Sequence, residues 1–478
     1  MELAHTGVVY EESDNNCRLA MRRLTCIREV DIPGLDQNLR MNQRNYLTEH
    51  YHCIKALLRF THGRHDYAPT LEDAAFSLKD LPHPKLELRR QAIKELWDSG
   101  DVAQTTWLRS VNWKFKKAEL AKPGKYPRNI VDLGVSASLQ TAAIADSSKH
   151  FLNDNLLIIG DCCLEIAIKP SLVELTRQLK MLFDHPYRIY MVAFSDDSCI
   201  SVRIGSTIHV FNSDFKSCDT SHTPSIFHCM MDTLNYPKEF RDAILGQIMA
   251  PIRIYSVEDR SKMVMLRPLQ LYLQSGIGIT TLINDFAEIV FFHSLANSDI
   301  STPQDIIEAA QTCGYLVELQ PCEKYEDAQF LKHSLALNTD NEYVATLNLG
   351  VILRCSGRAK YTIPGKGTYL ERAYNHQHAL MSGCLHSISN PTLEKLSPRP
   401  LNRQHAVYPD ALRHLDLNES QVHRYHFEDL VRRYDLTECE IGELQELISI
   451  SGYSTVVYST GLTKIFEKDY GLTCPVIG

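Results

Sequence analysis

The chain has 478 residues, 44% of them apolar and 23% charged, and a formal net charge of −8. That length suits two or three subdomains with a sizeable core, and no apolar run approaches the roughly 20 residues of a membrane-spanning helix. Residues 1–16 carry acids and no apolar centre, which excludes a signal peptide, and 14 cysteines without a Cys-x-x-Cys pair suggest reduced thiols in a cytosolic setting.

Residues 1–105 read as helical and irregular, a packing region with a turn at Ile32-Pro33-Gly34 and a helix over 85–97 that stops at Ser99-Gly100. The character changes at 109–128, where seven basic residues (Arg109, Lys114, Lys116, Lys117, Lys122, Lys125 and Arg128) face one acid, Glu119. Pro123-Gly124 breaks this stretch into two arms, so its charges line a bent loop, suited either to a polyphosphate or to a solvated basic face. The Gly160-Asp161 pair after an apolar strand has no second acid beside it and reads as a structural turn.

Residues 188–214 hold the main signal. They predict three strands joined by tight turns at Ser195-Asp196-Asp197 and Gly205-Ser206. Eight positions separate Asp197 from Gly205, and eight separate Ser206 from Asp214. At that length each arm runs about 26 Å, so Asp214 returns to the sheet end that carries Asp196 and Asp197. A bare Asp-Asp reads as a solvated acidic turn, whereas three carboxylates at one edge call for a cation. Asp219 follows five positions later, and 228–268 reads as an insertion, helical and then extended.

In 275–284, Ser275-Gly276 forms a flexible loop, and a buried helix starts near Thr280. Thr280 and Asn284 share one face of it, and an Asn in so apolar a helix needs a partner. Thr302-Pro303 starts a helix that ends near Gly314. A strand follows over 315–319, then a loop with Glu323-Lys324, and a short strand begins at Phe330-Leu331-Lys332. Residues 345–478 read as a helical lobe with a second basic stripe around 354–372. Its amphipathic helices are expected near 420–434 and 438–450, the latter capped by Thr437 and Glu440.

Taken together these segments resemble the right-handed RNA-dependent RNA polymerases of RNA viruses. The basic loop 116–128 resembles motif F, DFKSCD (214–219) motif A, SGIGITTLIN (275–284) motif B, the unit 303–324 motif D and Phe330-Leu331-Lys332 motif E. The Asp-Asp hairpin of motif C here precedes motif A. That order, C–A–B, is similar to the permuted polymerases of permutotetraviruses and birnaviruses, although Asp197 stands where those relatives commonly carry Asn.

The resemblance implies an α+β right hand, with an antiparallel, ferredoxin-like palm sheet and a mostly helical thumb. Residues 1–185 would be fingers, 186–227 palm, 228–268 a fingers insertion, 269–345 palm and 346–478 thumb. It implies template-directed nucleotidyl transfer with two Mg²⁺ or Mn²⁺ ions held by Asp214, Asp196 and Asp197. Lys117, Lys125 and Arg128 would meet the triphosphate, Lys324 would protonate pyrophosphate, and Asp219, Ser275, Gly276, Thr280 and Asn284 would recognise the ribose. Expected partners are an RNA template, nascent RNA and NTPs, with a protein primer or capsid as a further class, for a monomer working in the host cytoplasm. The competing readings are a metal-dependent nucleotide-sugar glycosyltransferase and a catalytically silent RNA-binding scaffold.

Overall fold

The computed structural model of the chain describes residues 12–21, 32–61, 110–116, 126–134, 137, 138, 141, 144, 145, 148, 149, 151, 152, 156–168, 170–357, 368, 385, 387–396, 422–450 and 459–471. The helix expected over 85–97, and Lys117 and Lys125, lie outside them.

Helix α1 (Asp14–Met21) is followed, after the turn at Pro33-Gly34, by the 27-residue α2 (Leu35–Thr61). Strands β1 (Val111–Phe115) and β2 (Asn129–Asp132) pair antiparallel with Phe115 opposite Asn129, so the arms flanking the basic loop run side by side. Strands β3 (Leu157–Ile159) and β4 (Cys162–Ile166) turn at Gly160, whose φ of +57° suits a residue without Cβ. Helix α3 (Leu172–Met181) opens on a capping box between Ser171 and Glu174. Then comes the expected meander, β5 (Ile189–Phe194), β6 (Asp197–Ile204) and β7 (Thr207–Phe215).

Helices α4 (Cys218–Ser221), α5 (Pro224–Thr233) and α6 (Lys238–Ile248) lead into β8 (Ile252–Tyr255) and β9 (Met263–Leu266), the helical-then-extended order read from 228–268. Helices α7 (Thr280–Ala296) and α8 (Pro303–Thr312) precede β10 (Val317–Cys322), the hairpin β11 (His333–Leu337) and β12 (Tyr343–Leu347), and α9 (Leu349–Gly357). The C-terminal part contributes α10 (Phe427–Val431), α11 (Glu438–Ile450) and α12 (Thr460–Tyr470). The helix expected from 420 starts only at Phe427, because His423 and Arg424 spend their backbone groups on a parallel pairing with Ile388 and Ser389.

The fold is α+β, centred on a six-stranded sheet in the order β10-β7-β6-β5-β4-β3. Every neighbouring pair is antiparallel except β4 and β5. The sheet is therefore mixed rather than wholly antiparallel. The physical reason is α3, which carries the chain back from β4 to β5 as a crossover, and a crossover yields a parallel pair. Strands β3 and β4 and helix α3, which fall within the 1–185 expected as fingers, are thus part of the central sheet and its covering layer.

Alternation along the strands feeds two cores. Ile189, Met191, Ile200 and Phe211 pack on the side of α7, which is buried on all faces over 282–295 and apolar over most of that span. Tyr190, Val192, Cys199 and Val210 pack on the other side, against Leu175 and Leu179 of α3 and Leu335 and Ala345 of the β11–β12 hairpin. A second sheet, β2-β1-β8-β9, joins the first region where the Val131 N–H donates to the Ser275 carbonyl (2.9 Å). Among the described residues no helix is long and apolar enough to cross a membrane.

Candidate functional site

The β5–β6–β7 register fixes the centre of the site. Phe194 pairs with Asp197 across the first turn, and Asp197 pairs directly with Asp214. Both side chains leave the sheet on the face that carries Cys199 and Val210, two and four positions along their strands. Directly opposed residues of an antiparallel pair hold their Cβ atoms about 4.5–5.5 Å apart, so the two carboxylates are neighbours. Asp197 is exposed at the start of β6, with the hairpin turn and the sheet packed around the rest of its carboxyl. Its pKa is raised, first by the desolvation this brings and then by the Asp196 charge, against a downward pull from Lys332. Lys332 is itself anchored, with Nζ donating to the Asp469 carbonyl (2.9 Å) over the Tyr470 ring.

The turn that carries Asp196 is strained and then braced. Ser195 has φ +59°, a conformation that an L residue holds only when its surroundings over-determine it. Two groups of α7 supply the constraint: Asp285 Oδ1 accepts the Ser195 N–H (2.6 Å), and Asn284 Nδ2 donates to Ser195 Oγ (3.1 Å).

Asn284 also reaches Asp219 Oδ1 at 3.5 Å, and Asp219 sits on the short helix α4 just beyond the end of β7. The buried Asn therefore does find partners, and they join the segments carrying Asp196, Asp214 and Asn284. Helix α2 props this corner from outside. Gln43 donates to the Ser221 carbonyl (3.2 Å) and accepts from both the backbone and the hydroxyl of Thr223 (2.7 Å each), while Arg40 donates to the Thr220 carbonyl (2.9 Å).

The loop before α7 is held by its own groups and by β2. Thr280 Oγ1 lies 2.9 Å from the Ile277 carbonyl and 3.2 Å from that of Gln274, so its hydroxyl proton serves the loop. Gly276, at φ +103°, packs where a Cβ would lie 2.7 Å from Ile130 Cγ2 and from the Val131 carbonyl oxygen. Ser275 is half-buried beside it, and the exposed Arg128 stands three residues before Val131, about 10 Å along the chain at strand rise.

Lys324 is not brought to this corner. Strand β10 lays Glu318 against Asp214 and runs away from it, which leaves Lys324 six residues, roughly 20 Å, further on. Its Nζ instead donates to Asp435 (2.5 Å) and the Arg432 carbonyl (2.8 Å). Phe330-Leu331-Lys332, read as the start of a strand, is a tight turn: Leu331 and Lys332 take φ of +51° and +62°, and Phe330 and His333 exchange backbone hydrogen bonds.

Sequence reasoning missed Asp285 and Glu288. Both are fully buried on α7, and Asp285 Oδ2 and both Glu288 oxygens lack a hydrogen-bond partner among the described residues. Burial raises the Asp285 carboxyl to about 7 against the opposing Ser195 N–H and Lys149, with Asp196 adding to the rise. Burial likewise drives Glu288 well up, and Asp196, Asp285 and Asp214 push the same way. The Ser198 hydroxyl, which also meets Ser213 at 2.6 Å, faces Glu288 and pulls the other way, but less than burial pushes. The signal was present in the sequence: two acids beside Asn284 in an otherwise apolar helix.

The donor set suits a hard divalent cation. Among the described residues no three His, Cys, Asp or Glu side chains close round one point, but Asp197 and Asp214 oppose each other with Asp196 beside them. Mg²⁺ is commonly held by one or two carboxylates, with water and substrate phosphates completing its shell, so a pair of opposed carboxylates fits it.

No protein-family model and no curated protein matches the chain. Among solved structures it is similar to the birnavirus VP1–VP3 complex, with a TM-score of 0.43 and 13% identity, over 64% of this chain and 48% of that one. The similarity thus spans about half the length of the birnavirus chain.

Proposed function

We propose that the chain is a viral RNA-dependent RNA polymerase with a permuted palm, extending an RNA 3′-hydroxyl with NTPs on an RNA template. The observation that carries this reading is the Asp197–Asp214 register, with Asp196 at the adjoining turn and Asn284 bridging to Asp219. It is supported by the C–A–B order of motifs, which the Gly205-Ser206 turn permits by joining two neighbouring strands directly.

In the reaction the 3′-oxygen attacks the α-phosphorus, the bond to the β-phosphate bridging oxygen breaks, the hydroxyl proton leaves and pyrophosphate departs. Asp197 and Asp214, with Asp196, would hold two Mg²⁺ or Mn²⁺ ions, which when bound favour the attacking alkoxide and neutralise the triphosphate. Asp219 and Asn284 would meet the ribose, with Ser275 on the adjoining loop. Arg128, Lys117 and Lys125 would receive the phosphates. Strand rise leaves Lys324 too far away to protonate pyrophosphate, so that role is not given to it.

Incubation with a short RNA template, primer, labelled NTP and Mg²⁺ tests the assignment. The parent should incorporate nucleotides in template order, and Asp196→Asn and Asp214→Asn should bind RNA but extend nothing. Extension retained by both variants would sink the ligand assignment. Absence of template-ordered incorporation in the parent would favour a scaffold, and sugar transfer from a nucleotide-sugar would favour a glycosyltransferase.

A further inference from the structure

Behind Asn284 lies a buried hydrogen-bonded chain that nothing in the motif pattern assigns. His222, three residues after Asp219, places Nε2 2.9 Å from Asn284 Oδ1 and Nδ1 3.2 Å from the Tyr315 hydroxyl. All three residues are at most 2% exposed. Tyr315 is fixed by stacking on Phe215 (centroids 4.8 Å apart), the last residue of β7.

Chemistry assigns the protons. An amide oxygen only accepts, so His222 Nε2 must carry the hydrogen that Asn284 Oδ1 receives. A neutral ring then presents a lone pair on Nδ1, which accepts from the Tyr315 hydroxyl. The opposite amide orientation would set Asn284 Oδ1 against the Asp219 carboxylate, acceptor against acceptor. The chain of donors therefore runs one way, from Tyr315 to His222 to Asn284, and then on to Ser195 and Asp219. The Cys218 thiol, 3.7 Å from His222 Nε2, is a weak partner that does not compete with it.

We propose that His222 is a positioning residue: the acceptor-only Asp219 carboxylate takes the Asn284 NH₂ and the His222 Nε2–H fills the Asn284 oxygen, with the Tyr315 hydroxyl holding the ring through Nδ1, so that Asn284 and Asp219 together discriminate the 2′-hydroxyl of a bound nucleotide. This rests on the nucleotide-binding reading above. His222 touches no substrate; it acts by donating to the Asn284 oxygen, which holds the amide with its NH₂ toward Ser195 and Asp219. With the amide free to flip, the site would lose one directed hydrogen bond to the sugar, worth about tenfold in affinity.

Equilibrium titration with ATP and 2′-deoxyATP in Mg²⁺, run beside primer extension with the same nucleotides, tests the proposal. The parent should bind ATP more tightly. His222→Leu should lower that preference about tenfold by weakening ATP alone, and His222→Gln, which restores a donor, should recover most of it. Tyr315→Phe keeps the ring packing and should lower the preference part of the way, a check that does not depend on how His222→Leu folds. An unchanged ratio in His222→Leu and Tyr315→Phe, an equal loss for both nucleotides, or no sugar preference in the parent would overturn the inference. A parent that prefers ATP but extends no primer would refute the polymerase reading alone, since the binding ratios still decide the role of His222.

Discussion

Asp285 offers the sharpest quantitative test. Its carboxyl is fully buried, accepts one hydrogen bond from Ser195 N–H and is raised by burial to about 7. An unfolded chain releases the same proton at about pH 3.9. Between those values only the folded protein holds it, so stability falls as pH rises, by about 1.4 kcal/mol per pH unit and about 4 kcal/mol over the whole window. Above the upper value both states are ionised and the slope vanishes. Asp285→Asn keeps an oxygen for Ser195 and never titrates. Its new N–H donors carry a penalty that does not depend on pH, and Glu288 titrates in both proteins, so both effects largely cancel in the comparison. The variant should therefore gain about 3 kcal/mol on the parent between about pH 5 and about pH 8. Urea unfolding at a series of pH values measures this difference directly. A difference that stays flat across that range, or that falls as pH rises, would refute the reasoning.

Two further substitutions probe the surroundings of the site. Gly276→Ala puts a Cβ 2.7 Å from Ile130 and the Val131 carbonyl at a φ that L residues avoid. It should lower stability by more than about 2 kcal/mol or lift the loop from β2, read as a lower urea midpoint and a raised KM for NTP; parental values of both would show that the close approach is unimportant. Lys324→Ala removes a partly exposed ion pair with Asp435 and should lower stability by about 0.5 kcal/mol, with the pH–rate profile of extension unchanged. A rate loss beyond about tenfold would return Lys324 to the chemistry.

The three-strand meander, the level of Asp214 with Asp197, the helix over Pro303–Thr312 and the cap at Thr437 were legible because each depends on local rules. Turn residues, strand counting and capping chemistry act over a few positions. The demand that Asn284 find a partner was legible too, since burial alone imposes it. What that partner would be was not. His222 and Asp219 lie 62 and 65 positions away in sequence, and only the packing of α4 against α7 brings them within reach. Lys324 shows the converse. The resemblance to motif D implies a proton donor near the aspartates, but the direction of β10 carries it to the opposite end of the sheet, where Asp435 takes it up.

The sequence by itself therefore determined that three acids share one sheet end, because strand rise and turn position leave no other arrangement. The tertiary structure decided which groups brace them. The tip of the β5–β6 hairpin takes its strained conformation from Asp285 and Asn284 of α7, some ninety residues further along the chain. A contact of that separation depends on how a helix docks on a sheet, and no local pattern encodes it.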